Sequence, residues 1–393
     1  MLGSRLVVVM SAVCGAALVL LAWVGWNARA AQPELVRGPY VMSPTASSVT
    51  IAWATDLPAD GRVEYGGTAG HGASASIPGP TTHHAVTLAG LTPGTTYHYR
   101  VASGGRVLAD GHTFRTAKDD RDPHFTFAVL GDSGRGGPPQ YAVANRIRAI
   151  QPDFVLHTGD VVYPAGEASD FDRKYFRPYR HLVAGIPFFL SLGNHDVATA
   201  SGQAYLDAFH LPSNNPEGTE RYYSFEYGNA RFIALDTNQP LGPGGAMYTW
   251  LVRELARPRK LWTFAFFHLA PYSSGVSGSS LPVRQVWGPL FERAGVAVVF
   301  SGHNHTYERT LPIREFEPGS AGVVYVVTGG GGGTLHAVGR NVWTAHSASV
   351  YHVVRAEVRD CVLELQAVTT DGAIFDRATI DRCGEPFRET NSQ

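Results

Sequence analysis

The first third of the chain alternates apolar and polar residues in short runs, which is the pattern of half-buried β-strands. One such run lies at 48–53, and shorter ones lie at 85–88 and 114–116. Turn-forming residues separate the runs at short, regular spacing, as they do in β-sandwiches. Residues 33–117 are therefore predicted to form an all-β domain.

From residue 124 onward, the pattern changes to strands that alternate with amphipathic helices. Single strands are predicted at 125–130, 154–156, 188–192, 263–267, 296–300 and 323–327, and helices at 141–150, 171–182, 247–255 and 283–293. Hairpins are predicted for 222–227 with 231–235, around Gly228-Asn229, and for 353–365 with 373–380, around Asp371-Gly372. This alternation predicts a layered α/β domain with mixed strands.

The two patterns divide the chain. The all-β part is expected at 33–117 and the α/β part at 122–383, with a charged, proline-terminated linker at 118–123 and a C-terminal tail at 384–393. Within the all-β part, the stretch 91–101 resembles the tyrosine corner of fibronectin type III domains, with Tyr97 in the corner position. We therefore expect a fibronectin type III-like sandwich there.

The N-terminus carries a long apolar segment. Arg5 precedes an unbroken run of apolar or small residues at 6–26, and an Ala-x-Ala pattern follows at 28–30. This arrangement predicts a Sec-type signal peptide over 1–31. The run is also nearly long enough to span a bilayer, so an uncleaved N-terminal membrane anchor is the alternative. In both cases the rest of the chain is expected outside the cytoplasm: periplasmic, secreted, or membrane-anchored and facing outward.

Composition and cysteine content are consistent with an exported globular protein. Apolar residues make up 44% and charged residues 17% of 393 residues, which allows a large core. A net charge of −1 offers no bulk attraction for nucleic acid or an acidic membrane. Cys14 lies in the export segment, which leaves Cys361 and Cys383. In an oxidising compartment we expect these two to form a disulfide, and two reduced core cysteines are the alternative.

Metal-ligand residue types follow five of the predicted strands. The blocks are Gly131-Asp132-Ser133-Gly134, Gly159-Asp160-Val161-Val162-Tyr163, Gly193-Asn194-His195-Asp196, His268 and Gly302-His303-Asn304-His305. Strand ends of an α/β sheet converge on one edge, where such folds place their sites. Each block alone is more often a turn, because Asp and Asn favour turns. All five together, with histidine in three of them, predict one cluster of oxygen and imidazole donors.

The ordered set of blocks resembles the metallophosphoesterase superfamily, and Tyr163 in the second block resembles its purple acid phosphatase branch. The resemblance covers most of 124–383, and the β domain with Arg37-Gly38-Pro39-Tyr40 looks like the same branch. It implies a four-layer β-sandwich with flanking helices, preceded by the fibronectin type III-like domain. It also implies an acid phosphatase that hydrolyses small-molecule phosphate monoesters. Nucleic acid is not expected to bind beyond possible nucleotide substrates, and no protein partner can be inferred.

The resemblance also implies a ligand set for two metal ions. One ion would be held by Asp132, Asp160, Tyr163 and His305, and the other by Asp160, Asn194, His268 and His303, so that Asp160 bridges them. Oxygen and imidazole donors without a thiolate suit Fe, Mn or Zn. A free phenol has a pKa near ~10, so a tyrosinate ligand favours a strongly polarising ion. We therefore expect Fe(III) together with a divalent ion (Fe, Zn or Mn).

The expected reaction is attack on phosphorus by a metal-bound hydroxide while the two ions hold the phosphate oxygens. Asn194 and His195 would contact the substrate. His195 would protonate the leaving group, because imidazole titrates near neutrality. Asp196 would either orient His195 or, as a loop residue, only cap a turn. Members of the branch have a further histidine in the loop after the His268 position, but residues 271–278 contain none. His195 is therefore expected to act alone as the proton donor.

Two alternatives remain open on the sequence. A phosphodiesterase acting on nucleotides or phospholipid head groups would use the same ligands. A non-catalytic extracellular adhesion or binding protein would hold its partner with the β domain, although the intact ligand set argues against it. The glycine run at 329–333 lacks the Lys-Ser/Thr of a nucleotide-binding loop. We expect it instead to let the backbone pass close to the metal centre.

Overall fold

A computed structural model of the chain describes residues 32–384. The predicted signal or anchor segment at 1–31 and almost all of the predicted tail lie outside the described residues. Within 32–384, no helix is both long enough and apolar enough to cross a bilayer.

The N-terminal part is all-β, as predicted. Its strands are β1 (Leu35–Met42), β2 (Ser48–Gly66), β3 (Ala73–Ala89), β4 (Thr96–Ser103) and β5 (Arg106–Arg115). The long strand β2 pairs with β1 through its first half and with β4 through its second half. Buried Trp53 lies in the core with Tyr99 and Phe114. The Tyr97 hydroxyl accepts a hydrogen bond from the Thr92 N–H at 3.0 Å, which is the contact that defines a tyrosine corner.

The second part is built from two sheets. Sheet I has the order β20-β19-β18-β6-β7-β8 and sheet II the order β17-β13-β16-β12-β11-β10-β9. The strands are β6 (His124–Leu130), β7 (Phe154–His157), β8 (Phe188–Leu190), β9 (Tyr223–Tyr227), β10 (Ala230–Ala234), β11 (Trp262–Phe266), β12 (Val298–Ser301), β13 (Tyr307–Thr310), β14 (Ile313–Arg314), β15 (Glu317–Pro318), β16 (Val324–Thr328), β17 (Thr344–Ala348), β18 (His352–Arg359), β19 (Val362–Thr369) and β20 (Ile374–Asp381). Strands β14 and β15 form a separate small ladder.

Helices connect these strands. They are α1 (Pro138–Ile150), α2 (Ala168–Phe171, continued by a π-helical turn at Asp172–Phe176 into Arg177–Val183), α3 (Gln203–Ala208), α4 (Ala246–Leu255) and α5 (Leu281–Ala294). The predicted α/β class with a preceding all-β domain is confirmed.

Successive side chains on a strand point to opposite faces, and sheet II buries both faces. Phe232, Phe264 and Phe300 pack towards sheet I, where Phe127 lies 5.2 Å from the ring of Phe232. Ile233, Ala265 and Val299 belong to a second core with Trp250 of α4 and Trp287 of α5. The sandwich between the sheets is therefore largely aromatic, and helices cover the outer face of sheet II.

The C-terminal prediction was wrong in one respect. Residues 353–365, predicted as one strand, belong to both β18 and β19, because the chain reverses at Asp360, whose φ is 54°. Asp tolerates this left-handed conformation, and apolar alternation continues on both sides of the turn. The hairpin at Asp371-Gly372 joins β19 and β20. Cys361 and Cys383 form a disulfide, which confirms the predicted pairing and joins the β18–β19 turn to the end of β20.

Candidate metal centre

The five blocks meet at one end of the sandwich. Strands β6, β7 and β8 are parallel neighbours in sheet I, and β11 and β12 are parallel neighbours in sheet II. The expectation of a single sheet edge is therefore corrected, because two sheets deliver the blocks. Donor atoms of Asp132, Asp160 and His268, which are all buried, lie within 4.8 Å of one another.

Backbone conformation turns these side chains inward. Asp132, Asp160 and His303 have positive φ angles of 58°, 53° and 67°. Such angles are uncommon outside glycine and are typical of functional sites. The glycines before them are needed for space. A Cβ on Gly159 would lie 2.7 Å from the Gly193 nitrogen, and one on Gly302 would overlap the Asp132 carboxylate.

One group of donors surrounds a single point. The Asn194 Oδ1 lies 3.0 Å from His268 Nε2 and 3.0 Å from His303 Nδ1. These two nitrogens are 3.3 Å apart, and His268 Nε2 is 3.4 Å from Asp160 Oδ2. Nitrogen and oxygen ligands lie roughly 2.0–2.2 Å from a metal ion such as zinc. Two ligands of the same tetrahedral ion are therefore separated from each other by distances like the 3.0–3.4 Å seen here. The spacing therefore fits one bound ion.

A second group lies next to it. The Tyr163 hydroxyl is 2.9 Å from His305 Nε2 and 3.3 Å from Asp132 Oδ1, and His305 Nε2 is 3.5 Å from the same Asp132 oxygen. Asp160 interacts with Tyr163 on this side and with His268 on the other. The two groups thus fit two ions that share Asp160.

Backbone carbonyls fix the orientation of two of the histidines. His268 Nδ1 donates to the Thr158 carbonyl at 2.9 Å, and His305 Nδ1 donates to the Thr334 carbonyl at 2.6 Å. A carbonyl only accepts, so in the neutral rings Nε2 carries the lone pair and faces the site. Metal-ligating histidines are usually held in this way.

The electrostatics favour a cation at the centre. Burial raises the pKa of the Asp160 carboxyl, but the neighbouring His268 lowers it further, so that the pKa lies well below its usual range. Burial opposes the charge on His268, yet Asp160 raises its pKa to about 10. Burial and the nearby carboxylates raise the pKa of Tyr163 well above its usual value. The phenol would therefore ionise only against a strongly polarising ion.

His195 lies at the open side of this centre. Its ring is 4.7 Å from the ring of Tyr163, and its side chain is 39% exposed. Nδ1 donates to the Pro164 carbonyl at 2.5 Å, and Nε2 lies 4.0 Å from Asp160 Oδ2. Nε2 is therefore the ring nitrogen that faces the metal centre.

Of the two roles expected for Asp196, the hydrogen bonds favour the loop cap over the orientation of His195. Its buried carboxylate accepts hydrogen bonds from the backbone N–H groups of Gly193 (2.8 Å), Val162 (3.0 Å) and Val161 (3.1 Å). These groups belong to the two loops that carry Asp160 and Asn194. Burial, followed by the Asp160 charge, raises the pKa of Asp196 to about 7. Asp196 therefore links the loop that carries Asp160 to the loop that carries Asn194. The Pro164 carbonyl orients His195.

Two residues near the centre were missed by sequence reasoning. The Arg135 guanidinium lies 4.8 Å from the centre of the Tyr163 ring, and the His336 ring stacks on His305 at 4.2 Å. Arg135 follows the Asp132 block directly, which was an available signal, whereas His336 carried none. The glycine run behaves as expected, since a Cβ on Gly333 would lie 2.7 Å from His305.

The loop without a histidine, 271–278, is held against the ligand segment. The Ser274 hydroxyl donates to Glu308 at 2.8 Å, and the Ser277 N–H donates to Asn304 Oδ1 at 2.9 Å. Asn304 is buried between the two ligand-type histidines of its block. Both hydrogen bonds therefore hold the loop 271–278 against the segment that carries His303 and His305, and neither involves a candidate ligand side chain.

Comparison with known proteins assigns both domains to known families. The family model "Calcineurin-like phosphoesterase" matches residues 125–307, and "Purple acid Phosphatase, N-terminal domain" matches residues 39–116. Purple acid phosphatase 15 of Arabidopsis thaliana is 28% identical over 63% of this chain and 53% of its own length. The uncharacterized protein Rv2577 of Mycobacterium tuberculosis is 30% identical over 62% of this chain and 57% of its own length. The chain thus spans just over half the length of these curated relatives.

Two solved structures share the fold. A yellow lupin (Lupinus luteus) purple acid phosphatase, PPD1, superposes with a TM-score of 0.77 at 22% identity, over 89% of this chain and 74% of its own. PhoD superposes with a TM-score of 0.68 at 15% identity, over 90% of both chains. The two family matches, with purple acid phosphatases among the relatives, show that the chain is purple acid phosphatase-like: it has a calcineurin-like phosphoesterase domain behind a purple acid phosphatase N-terminal domain.

Proposed function

We propose that this chain is a dinuclear metal hydrolase of phosphate monoesters. Similarity to the family is not sufficient, since one relative is named "Probable inactive purple acid phosphatase 27". The observation that supports activity is the set of donor atoms from Asp160, Asn194, His268 and His303, which face one point at separations of 3.0–3.4 Å. Oxygen and imidazole donors at these separations are what a single bound ion such as zinc, iron or manganese requires.

Asp132, Tyr163 and His305 hold the first ion in this proposal, the four donors above hold the second, and Asp160 takes part in both. We propose Fe(III) at the tyrosine side and a divalent ion (Fe, Zn or Mn) at the other, because only a strongly polarising ion would ionise the buried phenol. When bound, such ions activate water and offset negative charge on phosphoryl oxygens.

The protein's own groups would do the rest. The Asn194 Oδ1 faces the two histidines, which leaves its Nδ2 to donate to a phosphate oxygen. His195 Nε2, held in place through Nδ1 by the Pro164 carbonyl, would give a proton to the leaving alkoxide. The loop at 271–278 offers no second imidazole, so we propose His195 as the single donor.

The test compares metal-loaded and chelator-treated protein on p-nitrophenyl phosphate and its bis ester. We expect about two ions per chain by elemental analysis, a visible tyrosinate-to-iron band, and faster hydrolysis of the monoester. Asp160→Ala should lose both ions, whereas the exposed control Asp207→Ala should keep them. Faster hydrolysis of the bis ester would make the chain a phosphodiesterase. Two bound ions without hydrolysis of either ester would refute an enzymatic role.

We also propose that the mature chain works outside the cytoplasm. The Cys361–Cys383 disulfide supports this, because such bonds persist in oxidising compartments. Cell fractionation tests the proposal, and recovery of the full-length, reduced chain from the cytoplasm would contradict it.

A further inference from the structure

An exposed arginine lies beside the candidate metal centre. The Arg135 guanidinium is 4.8 Å from the centre of the Tyr163 ring. In the part of the chain that the structure describes, no carboxylate lies within ion-pair distance of Arg135. The positive charge of Arg135 therefore lies at the edge of the site without a carboxylate of the described residues beside it.

The backbone on both sides of Arg135 is fixed. The Gly134 carbonyl accepts the Tyr163 N–H at 3.0 Å, and a Cβ on Gly134 would overlap the Val161 carbonyl. The Gly136 N–H donates to the buried side chain of Gln140 at 2.7 Å. The loop is thus docked against the segment that carries Tyr163, and the exposed Arg135 side chain extends from this fixed backbone.

Contact with an aromatic face leaves the hydrogen-bonding capacity of a guanidinium unused. A cation over a ring is attracted by the π-electrons, while the N–H groups lie at the edge of the guanidinium plane. Tyr163 also contacts His195, whose ring is 4.7 Å away. Arg135 and His195 therefore both adjoin the ring whose hydroxyl reaches the centre.

We propose that Arg135 is a substrate-binding residue that donates hydrogen bonds to the non-bridging oxygens of a phosphoryl group held at the metal centre. A planar guanidinium matches two phosphate oxygens at once, and charge-assisted bonds of this kind are among the strongest in proteins. The inference rests on the proposed function for its substrate. Inorganic phosphate has the same kind of non-bridging oxygens as a phosphate ester, so its binding can be measured without any turnover.

The experiment measures phosphate binding to metal-loaded full-length chain by calorimetry, together with KM and kcat for p-nitrophenyl phosphate. Arg135→Ala should weaken phosphate binding and raise KM by about 10- to 100-fold, the range for lost hydrogen bonds to charged groups. Arg135→Lys should lie between, because it keeps the charge without the paired donors. The exposed Arg148→Ala, on α1, should match wild type.

The outcomes separate the two proposals. Wild-type protein that binds metal and phosphate but hydrolyses no ester would end the proposed function, while the Arg135 comparison would still stand. Phosphate affinity of Arg135→Ala within twofold of wild type would overturn the inference. So would an equal loss in Arg135→Ala and Arg135→Lys that is accompanied by loss of metal or of the visible band, since Arg135 would then only support Tyr163.

Discussion

Replacing Asp196 with alanine should destabilise the chain and weaken metal binding, rather than act on proton transfer alone. The carboxylate satisfies three buried N–H groups at 2.8–3.1 Å, in the loops of Asp160 and Asn194. Each buried donor left without a partner costs about 1–3 kcal/mol. Two effects reduce the loss. Burial disfavours the charged carboxylate and raises its pKa, and water that enters the variant can satisfy some of the three N–H groups. We therefore expect a loss of about 3–5 kcal/mol, below the maximum sum.

Urea unfolding of metal-free and metal-loaded protein measures this loss, and elemental analysis measures bound metal. Asp207→Ala, an exposed aspartate whose partner is Gln203, should stay within about 0.5 kcal/mol of wild type. The reasoning fails if Asp196→Ala keeps wild-type stability and metal content yet matches the kinetic defect of His195→Ala. Asp196 would then act through His195.

Three further changes have expected outcomes. His195→Ala should lower kcat on alkyl phosphates by roughly 100- to 1,000-fold but on p-nitrophenyl phosphate far less, because that leaving group needs no proton; an equal loss on both esters would exclude the role. Tyr163→Phe should abolish the visible band of iron-loaded protein, and a band that survives would remove the tyrosine from the ligand set. Cys361→Ser should lower the free energy of unfolding by about 3 kcal/mol, from the entropy of closing a loop over a separation of 22 residues. An unchanged urea midpoint would contradict that value.

The five strands that lead to the site and the convergence of the nine site residues were predictable because both signals are local. Each block follows an apolar run directly, and a glycine precedes most of the ligand types. The pairing of strands into sheets was not predictable in the same way. A strand buried on both faces reads as a continuous apolar run, whichever sheet it joins. The single edge expected for Asp160 and His268 therefore proved to be the ends of two sheets.

Side-chain partners were the harder part. The Asp196 carboxylate binds N–H groups of residues 161 and 162, about 35 positions away, and such a contact leaves no trace in spacing. Arg135 lies in a loop, and nothing in its spacing indicates that it contacts the ring of Tyr163, 28 positions further along the chain. The His336 ring stacks on His305, and the glycine run ahead of it passes close to the same histidine. These contacts depend on how loops from different strands pack.

Sheet I is assembled from opposite ends of the domain, since β6 pairs with β18 along nearly its whole length. A ribosome delivers β6 early and β18 close to the end of the chain. Until then, the strand leading to Asp132 has an open edge, and open edges invite pairing with other chains. A premature stop before residue 352 would therefore release a product that is prone to aggregate, even though the blocks containing all the proposed ligands would already have been synthesised.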